Sequence, residues 1–351
     1  MNGDLGDKPA ADEHDDRIES EITPPSVTPP PVTPPPVLHP HTDSASPMVP
    51  ASLPPPKPRV WTVFLSLGII FAAQIGVGIV IAVVLLVMGS MSGGSENALA
   101  NLIERMEYPW VLAGTVVLSE LAIFGVAMGA ARFSRQKTVA RLGLNRSALG
   151  WLTWPLLILS TLGVGTIGQI LLEATLGSIG DSLAAFYQSL AEMELSQLIP
   201  MALVLSVFPG VCEEMFFRGY MQRRLLQRWH PAVAIGITSM LFAAIHLDPY
   251  QALGVFLTGV WLGIVAWRTG SIWPGVACHI VMNFLSVMGA SLMVEETVDI
   301  NPIWPLAWYA LLLGSMIVSV ILLVKAKGGE ALGTVALASS DADSDFGAIG
   351  E

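Results

Sequence analysis

Residues 198–218 read LIPMALVLSVFPGVCEEMFFR. An uncharged apolar run from Leu198 to Cys212 meets two adjacent acids, Glu213 and Glu214, and Arg218 follows four residues after the second. A run of this kind belongs to a helix that crosses a lipid bilayer, for which about 20 apolar residues are needed. A charge held in hydrocarbon costs roughly 2.5–3.5 kcal/mol on the insertion scale, so ionisable groups at such a place mark a functional site.

The rest of the chain repeats the pattern. Of 351 residues, 53% are hydrophobic and 13% charged, where a soluble domain carries about 25% charged residues. Apolar stretches run approximately over 61–88, 109–131, 151–173, 198–217, 231–247, 251–268, 271–292 and 303–324. The expected fold is therefore all-α, a polytopic membrane bundle of about eight transmembrane helices over 61–325. The fifth and sixth stretches are short for full spans.

Two tails flank the bundle. Residues 1–60 are acidic and then Pro-rich, with Val27-Thr28-Pro29-Pro30-Pro31 followed by Val32-Thr33-Pro34-Pro35-Pro36. Such a segment favours extended polyproline II and buries no core, so it is expected to be a disordered cytoplasmic tail able to dock a proline-reading partner. Residues 326–351 are rich in Gly, Ala, Ser and Asp and are expected to be disordered too. The first tail holds nine acids and four bases, and residues 325–351 hold five acids and two bases, which accounts for most of the net charge of −11. Nucleic acid is not an expected partner; the lipid bilayer is. No cleavable signal peptide is expected, because the first 60 residues contain no apolar core of signal length. The two cysteines, Cys212 and Cys278, both fall inside apolar stretches and read as small hydrophobes.

Orientation follows from the loops. Arg132, Arg135, Lys137, Arg141 and Arg146 follow the second stretch, and Arg218, Arg223, Arg224 and Arg228 follow the fourth. Alternate loops carry acids, with Arg105 their one base. The positive-inside rule then puts both termini in the cytoplasm.

Three groups of residues carry the chemistry. Glu214 and Arg218, at i and i+4 with the acid first, share a helical face, while Glu213 points about 100° away. His279 and Asn283 repeat the i, i+4 spacing in the seventh stretch, with Gly275 one turn earlier. His246 follows Phe242 by four residues near the end of the fifth stretch and is preceded by the small Ala243 and Ala244. Each group alone reads equally as interfacial pairing or helix–helix glue. Convergence would relieve the burial cost of all three. It would also supply a general base, an imidazole partner and an oxyanion donor for attack of water on an amide. The same Glu213, His246 and His279 could alternatively hold zinc with an open position. The H-E-x-x-H spacing of zincins is absent.

In order and separation, E-E-x-x-x-R at Glu213–Arg218, F-x-x-x-H at Phe242–His246 and H-x-x-x-N at His279–Asn283 resemble the signature of the CAAX-protease and bacteriocin-processing (CPBP, or Abi) family of intramembrane endopeptidases. Eukaryotic type II CAAX prenyl proteases are relatives in that family. The resemblance covers a protease core at 195–290. It implies Glu213 as the catalytic glutamate that activates water, with Glu214 and Arg218 supporting. It implies His246 as the histidine that shares the water, and His279 and Asn283 as the oxyanion pair. Family members are described both as metalloproteases and with a metal-free glutamate mechanism, so zinc stays open. The implied substrate is a membrane-associated protein or peptide; the acidic tail and the lack of an organelle-targeting sequence make a bacterial plasma membrane the expected location. Rival readings use the same buried groups as a proton relay in a transporter, or make the chain a scaffold. No inverted repeat supports the transporter.

Other acids remain unassigned by these motifs. Glu120, beside Ser119 in the second stretch, reads as a proton or substrate site or as a partner within the bundle. Glu173 lies near the outer end of the third stretch. Residues 182–199 form an amphipathic stretch, with Leu183, Phe186, Leu190 and Leu195, expected on the outer surface.

Overall fold

In lipid, a helix satisfies every backbone N–H and C=O within its own segment, so the apolar runs fold as helices. The structure, a computed structural model, describes residues 59–91, 108–133, 137–177, 181–290, 303–326 and 328. The Pro-rich tail and nearly all of 326–351 lie outside the described residues. Among the described residues there is no strand.

The order is α1 Trp61–Met91, α2 Pro109–Arg132, α3 Thr138–Arg141, α4 Trp154–Leu176, α5 Asp181–Ala191 and α6 Leu195–Glu213. A π-helical stretch Glu214–Gln222 continues α6 into α7 Arg223–Leu226. Then come α8 Pro231–Ala244, α9 Pro249–Thr269, α10 Trp273–Ala290 and α11 Ile303–Lys325. Among the described residues six helices are long and apolar enough to cross a membrane: α1, α2, α4, the composite Leu195–Leu226, α9 and α11. The two remaining apolar stretches fold as the shorter helices α8 and α10. The protein is thus a polytopic helical bundle, as the composition implied.

The composite helix lies at the centre. Its most apolar window is 44% buried, against 6% for α1. α6 packs against α2 and α10, and the π-helical stretch touches α2, α8 and α9. Phe216, Phe217, Met221 and Leu225 are fully buried there with Ile123, Leu142 and Phe242. The outer helices instead expose large apolar side chains, including Ile75 and Ile79 on α1 and Trp304 and Leu306 on α11. Apolar surface on this scale faces lipid, because water would not tolerate it.

Burial of apolar area drives little between helices in lipid, so close approach and packing must hold the bundle. Glycines allow that approach. A Cβ on Gly210 of α6 would stand 2.5 Å from Ile280 Cγ1 and 3.1 Å from its backbone N on α10. α5 buries Leu190, with Phe186 and Tyr187 packed against the Leu198–Met201 cluster, so this amphipathic helix leans its apolar face on the bundle.

Residues 137–150 fold back against the π-helical stretch. A Cβ on Gly219 would fall 2.6 Å from the Leu142 carbonyl oxygen. The Arg141 guanidinium lies 5.3 Å from the Tyr220 ring centre. Burial, with Arg224 nearby, lowers the Arg141 pKa to about 10.

Candidate active site

Pro209 removes one intrahelical N–H four residues before Glu213. The helix then widens into the π form at Glu214, an irregularity that recurs at functional sites. Every residue from Glu214 to Gln222 has its side chain buried. Glu214 and Arg218 do pair, Nη1 to Oε1 at 2.8 Å, with both side chains out of contact with solvent. Arg218 is therefore part of the protein interior and not of the basic loop to which its sequence position assigns it.

Two side chains tie the π-helical stretch to α9. Arg218 Nη2 donates to the Gly259 carbonyl at 3.1 Å, and Gln222 Nε2 donates to the Gly263 carbonyl at 2.8 Å. Donors and acceptors are both four residues apart, one turn on each helix. A larger residue would crowd both acceptor positions. A Cβ at Gly263 would lie 2.8 Å from Gln222 Oε1 and 2.9 Å from Ile235 Cγ2. The G-x-x-x-G at 259–263 is a legible small-residue motif for close helix approach, and the motif-based reading did not use it.

The carboxylate of Glu214 also reaches α10. His279 Nδ1 donates to Glu214 Oε1 at 3.1 Å, which orients the ring. Its other nitrogen, Nε2, then stands 3.6 Å from Glu213 Oε2. Glu213, Glu214, Arg218 and His279 are all at least 94% buried. Gly275 leaves room for this arrangement, since a Cβ there would lie 3.0 Å from Glu214 Oε2. Asn283 follows His279 by one turn on the same face of α10 and is half-buried.

His246 is positioned by a turn, not a helix. The sequence suggested helix to residue 247, but α8 ends at Ala244. The cause is local. Pro249 disfavours a helical Asp248, and Asp248 instead accepts from the Tyr250 and Gln251 N–H groups to cap α9. Leu247 takes up the direction change at φ 56°, a left-handed conformation costly for a branched residue. His246 Nδ1 donates to the Phe242 carbonyl at 3.0 Å, which leaves Nε2 as an acceptor. The Phe242 ring meets His246 edge-on at 5.3 Å and His279 edge-on at 5.9 Å between ring centres. It also lies beneath the Arg218 guanidinium at 4.3 Å. One aromatic side chain thus holds both imidazoles and the arginine in register.

The residues do not present a metal shell. Among the described residues no three His, Cys, Asp or Glu side chains are grouped so as to hold an ion. One nitrogen of each imidazole is committed, to Glu214 and to the Phe242 carbonyl respectively.

Residues 195–285, which carry all of these side chains, match the family model described as type II CAAX prenyl endopeptidase Rce1-like. This segment is an Rce1-like domain of the CPBP family. No curated protein and no solved structure matches the chain. The Rce1-like domain comprises α6 to most of α10, so α1 to α5 and α11 lie outside it. One of those outer helices nevertheless reaches the site. Glu120 of α2 is buried where α2 packs on α6, in the neighbourhood of Glu213. The motifs gave no signal for this placement; the only sign was an acid in the middle of an apolar stretch.

Proposed function

We propose that this integral membrane protein is an intramembrane endopeptidase that hydrolyses a peptide bond of a membrane-associated protein or peptide, with CAAX-type peptides as the substrate class. The observation that carries the reading is the buried carboxylate of Glu213 facing His279 Nε2 at 3.6 Å within the Rce1-like domain. A buried carboxylate set beside an oriented imidazole is a group suited to take a proton from water.

In the proposed reaction Glu213 removes a proton from water as its oxygen attacks the peptide carbonyl carbon. His246 holds the water's second hydrogen through its acceptor Nε2. The carbonyl oxygen becomes an oxyanion, stabilised by the Asn283 amide and by His279. The C–N bond then breaks, and the proton on Glu213 passes to the leaving amine. Glu214 and Arg218 take no proton; their pair orients His279 and supplies charge balance next to Glu213.

In this proposal the membrane is a bacterial plasma membrane and both termini are cytoplasmic, the orientation being supported by the arginine-rich loops. The Pro-rich tail is then available to a cytoplasmic partner. Labelling of a single cysteine near residue 140 in intact cells tests the orientation, and modification from outside contradicts it.

The activity is tested with the full chain in proteoliposomes and internally quenched CAAX-type peptides, farnesylated and unmodified. Cleavage of either supports the endopeptidase, and the difference between them reports prenyl recognition. Proton uptake driven by a pH gradient with no cleavage would favour a transporter instead.

A further inference from the structure

Among the described residues two arginines are buried, Arg218 and Arg141. Arg218 has the carboxylate of Glu214. Arg141 on α3 is 3% exposed, and its Nε and Nη2 are out of contact with solvent and meet no acceptor among the described residues. Burying a guanidinium without an anion is strongly unfavourable. Two more arginines gather at the same place. The guanidinium groups of Arg141 and Arg224 lie 5.3 and 5.8 Å from the centre of one ring, that of Tyr220. Arg223 lies against Gly143, where a Cβ would stand 2.9 Å from its Nη1 and where the chain turns at φ 67°. Backbone carbonyls hold these two side chains in place. Arg223 Nη1 donates to Gly270 at 3.3 Å, and Arg224 Nε donates to Arg59 at 3.0 Å. Among the described residues no carboxylate pairs with Arg141, Arg223 or Arg224. Like charges so placed repel, and the face of one tyrosine offsets only part of that.

We propose that Arg141, Arg223 and Arg224, gathered about Tyr220 and Gly143, bind a phosphate group, carried by the headgroup of an anionic phospholipid or free in solution. Three guanidinium groups suit a phosphate, whose oxygens accept from several forks at once, better than a carboxylate with its two oxygens. Depth agrees. The composite helix has 32 residues, and about 20 cross the hydrocarbon, so its last turn, with Arg223 and Arg224, stands at the level of the headgroups. Basic pockets at that level on the cytoplasmic side recognise lipid phosphates. The site is separate from Glu213 and its partners, and its binding of phosphate does not depend on the endopeptidase reading. Arg141 precedes the Rce1-like domain at 195–285, whereas Arg223 and Arg224 lie within it, so the anion ties the two parts together.

The test uses the full chain purified in a non-ionic detergent. Native mass spectrometry measures retained phosphatidylglycerol, and the unfolding midpoint is followed with inorganic phosphate and with acetate at matched ionic strength. Wild type should retain the lipid, and phosphate but not acetate should raise the midpoint. Arg141→Gln should bind about tenfold more weakly, as loss of one charge-assisted hydrogen-bonding group predicts. Arg146→Gln removes an exposed arginine of the same loop and should bind as wild type. Arg224→Gln, at a part-exposed position, should weaken binding in the same direction and serves if Arg141→Gln does not fold. Lipid that inorganic phosphate does not displace assigns the headgroup as the source; stabilisation by phosphate with no retained lipid assigns the free anion. Neither ligand binding to wild type overturns the site. So does acetate acting as well as phosphate, which marks a carboxylate ligand such as a peptide C-terminus. Equal losses in Arg146→Gln and Arg141→Gln, or wild-type binding by a folded Arg141→Gln or by Arg224→Gln, overturn it too.

Discussion

Glu214 accepts from His279 across the interface of the π-helical stretch and α10, at 3.1 Å and out of reach of solvent. The same Glu214 oxygen takes the Arg218 guanidinium at 2.8 Å. The carboxylate that does not face the water in the proposed mechanism is therefore the one that orients the imidazole. In the proposed mechanism the adjacent glutamates thus divide the work, Glu213 toward chemistry and Glu214 toward structure.

Removing one partner of this buried set should be costly. Arg218→Met should destabilise the protein by about 3–5 kcal/mol, because Glu214 is left charged without its main partner. The unfolding midpoint in mild detergent checks it. A midpoint within experimental error of wild type would show that the pair contributes nothing to stability.

The α9 glycines should be intolerant for steric reasons. Gly263→Ala places a methyl 2.8 Å from Gln222 Oε1 and 2.9 Å from Ile235 Cγ2, which must move apart. Overpacking of this kind costs roughly 1–3 kcal/mol. Gly68→Ala on α1 is the control, since nothing lies within 4 Å of its Cβ. It should leave stability unchanged or raise it by up to about 1 kcal/mol through helix propensity. The two variants differing in the opposite order would contradict the packing described for α9.

The sequence carried the fold because lipid leaves few choices. Runs such as 198–217 and 303–324 are long and apolar enough for spanning helices, and they fold as helices of that length. The i, i+4 spacing of Glu214 and Arg218 also announced their pairing. The end of α8 was not legible in hydropathy, since Ile245 and Leu247 extend the apolar pattern while Asp248 and Pro249 stop the helix. The π form after Glu213 has no simple sequence signal either. Glu120 is a lone acid in an apolar stretch, and only packing reveals that it is buried in the neighbourhood of Glu213.

Strain in the α8–α9 turn should be separable from stability. Leu247→Gly removes a left-handed conformation that costs on the order of 1–3 kcal/mol for a side chain, so the unfolding midpoint should hold or rise. Turnover should fall, because a freer backbone places His246 less firmly. Comparing the midpoint with kcat checks both. A turnover equal to wild type would mean that the turn does not position His246.

Asn283→Ala should lower kcat by about 10²–10³-fold with the fold retained, as loss of one oxyanion donor does elsewhere. Single-turnover cleavage at saturating peptide separates this from weaker binding. An effect on KM alone would move Asn283 from the oxyanion to substrate binding.

The most direct measurement is single-turnover cleavage of a CAAX-type peptide by purified Glu213→Gln beside wild type, both monodisperse and with equal unfolding midpoints. The substitution keeps size and shape and removes the base, so the rate should fall by roughly 10²–10⁴-fold. Cleavage at the wild-type rate by Glu213→Gln would contradict the assignment of Glu213 as the group that activates water.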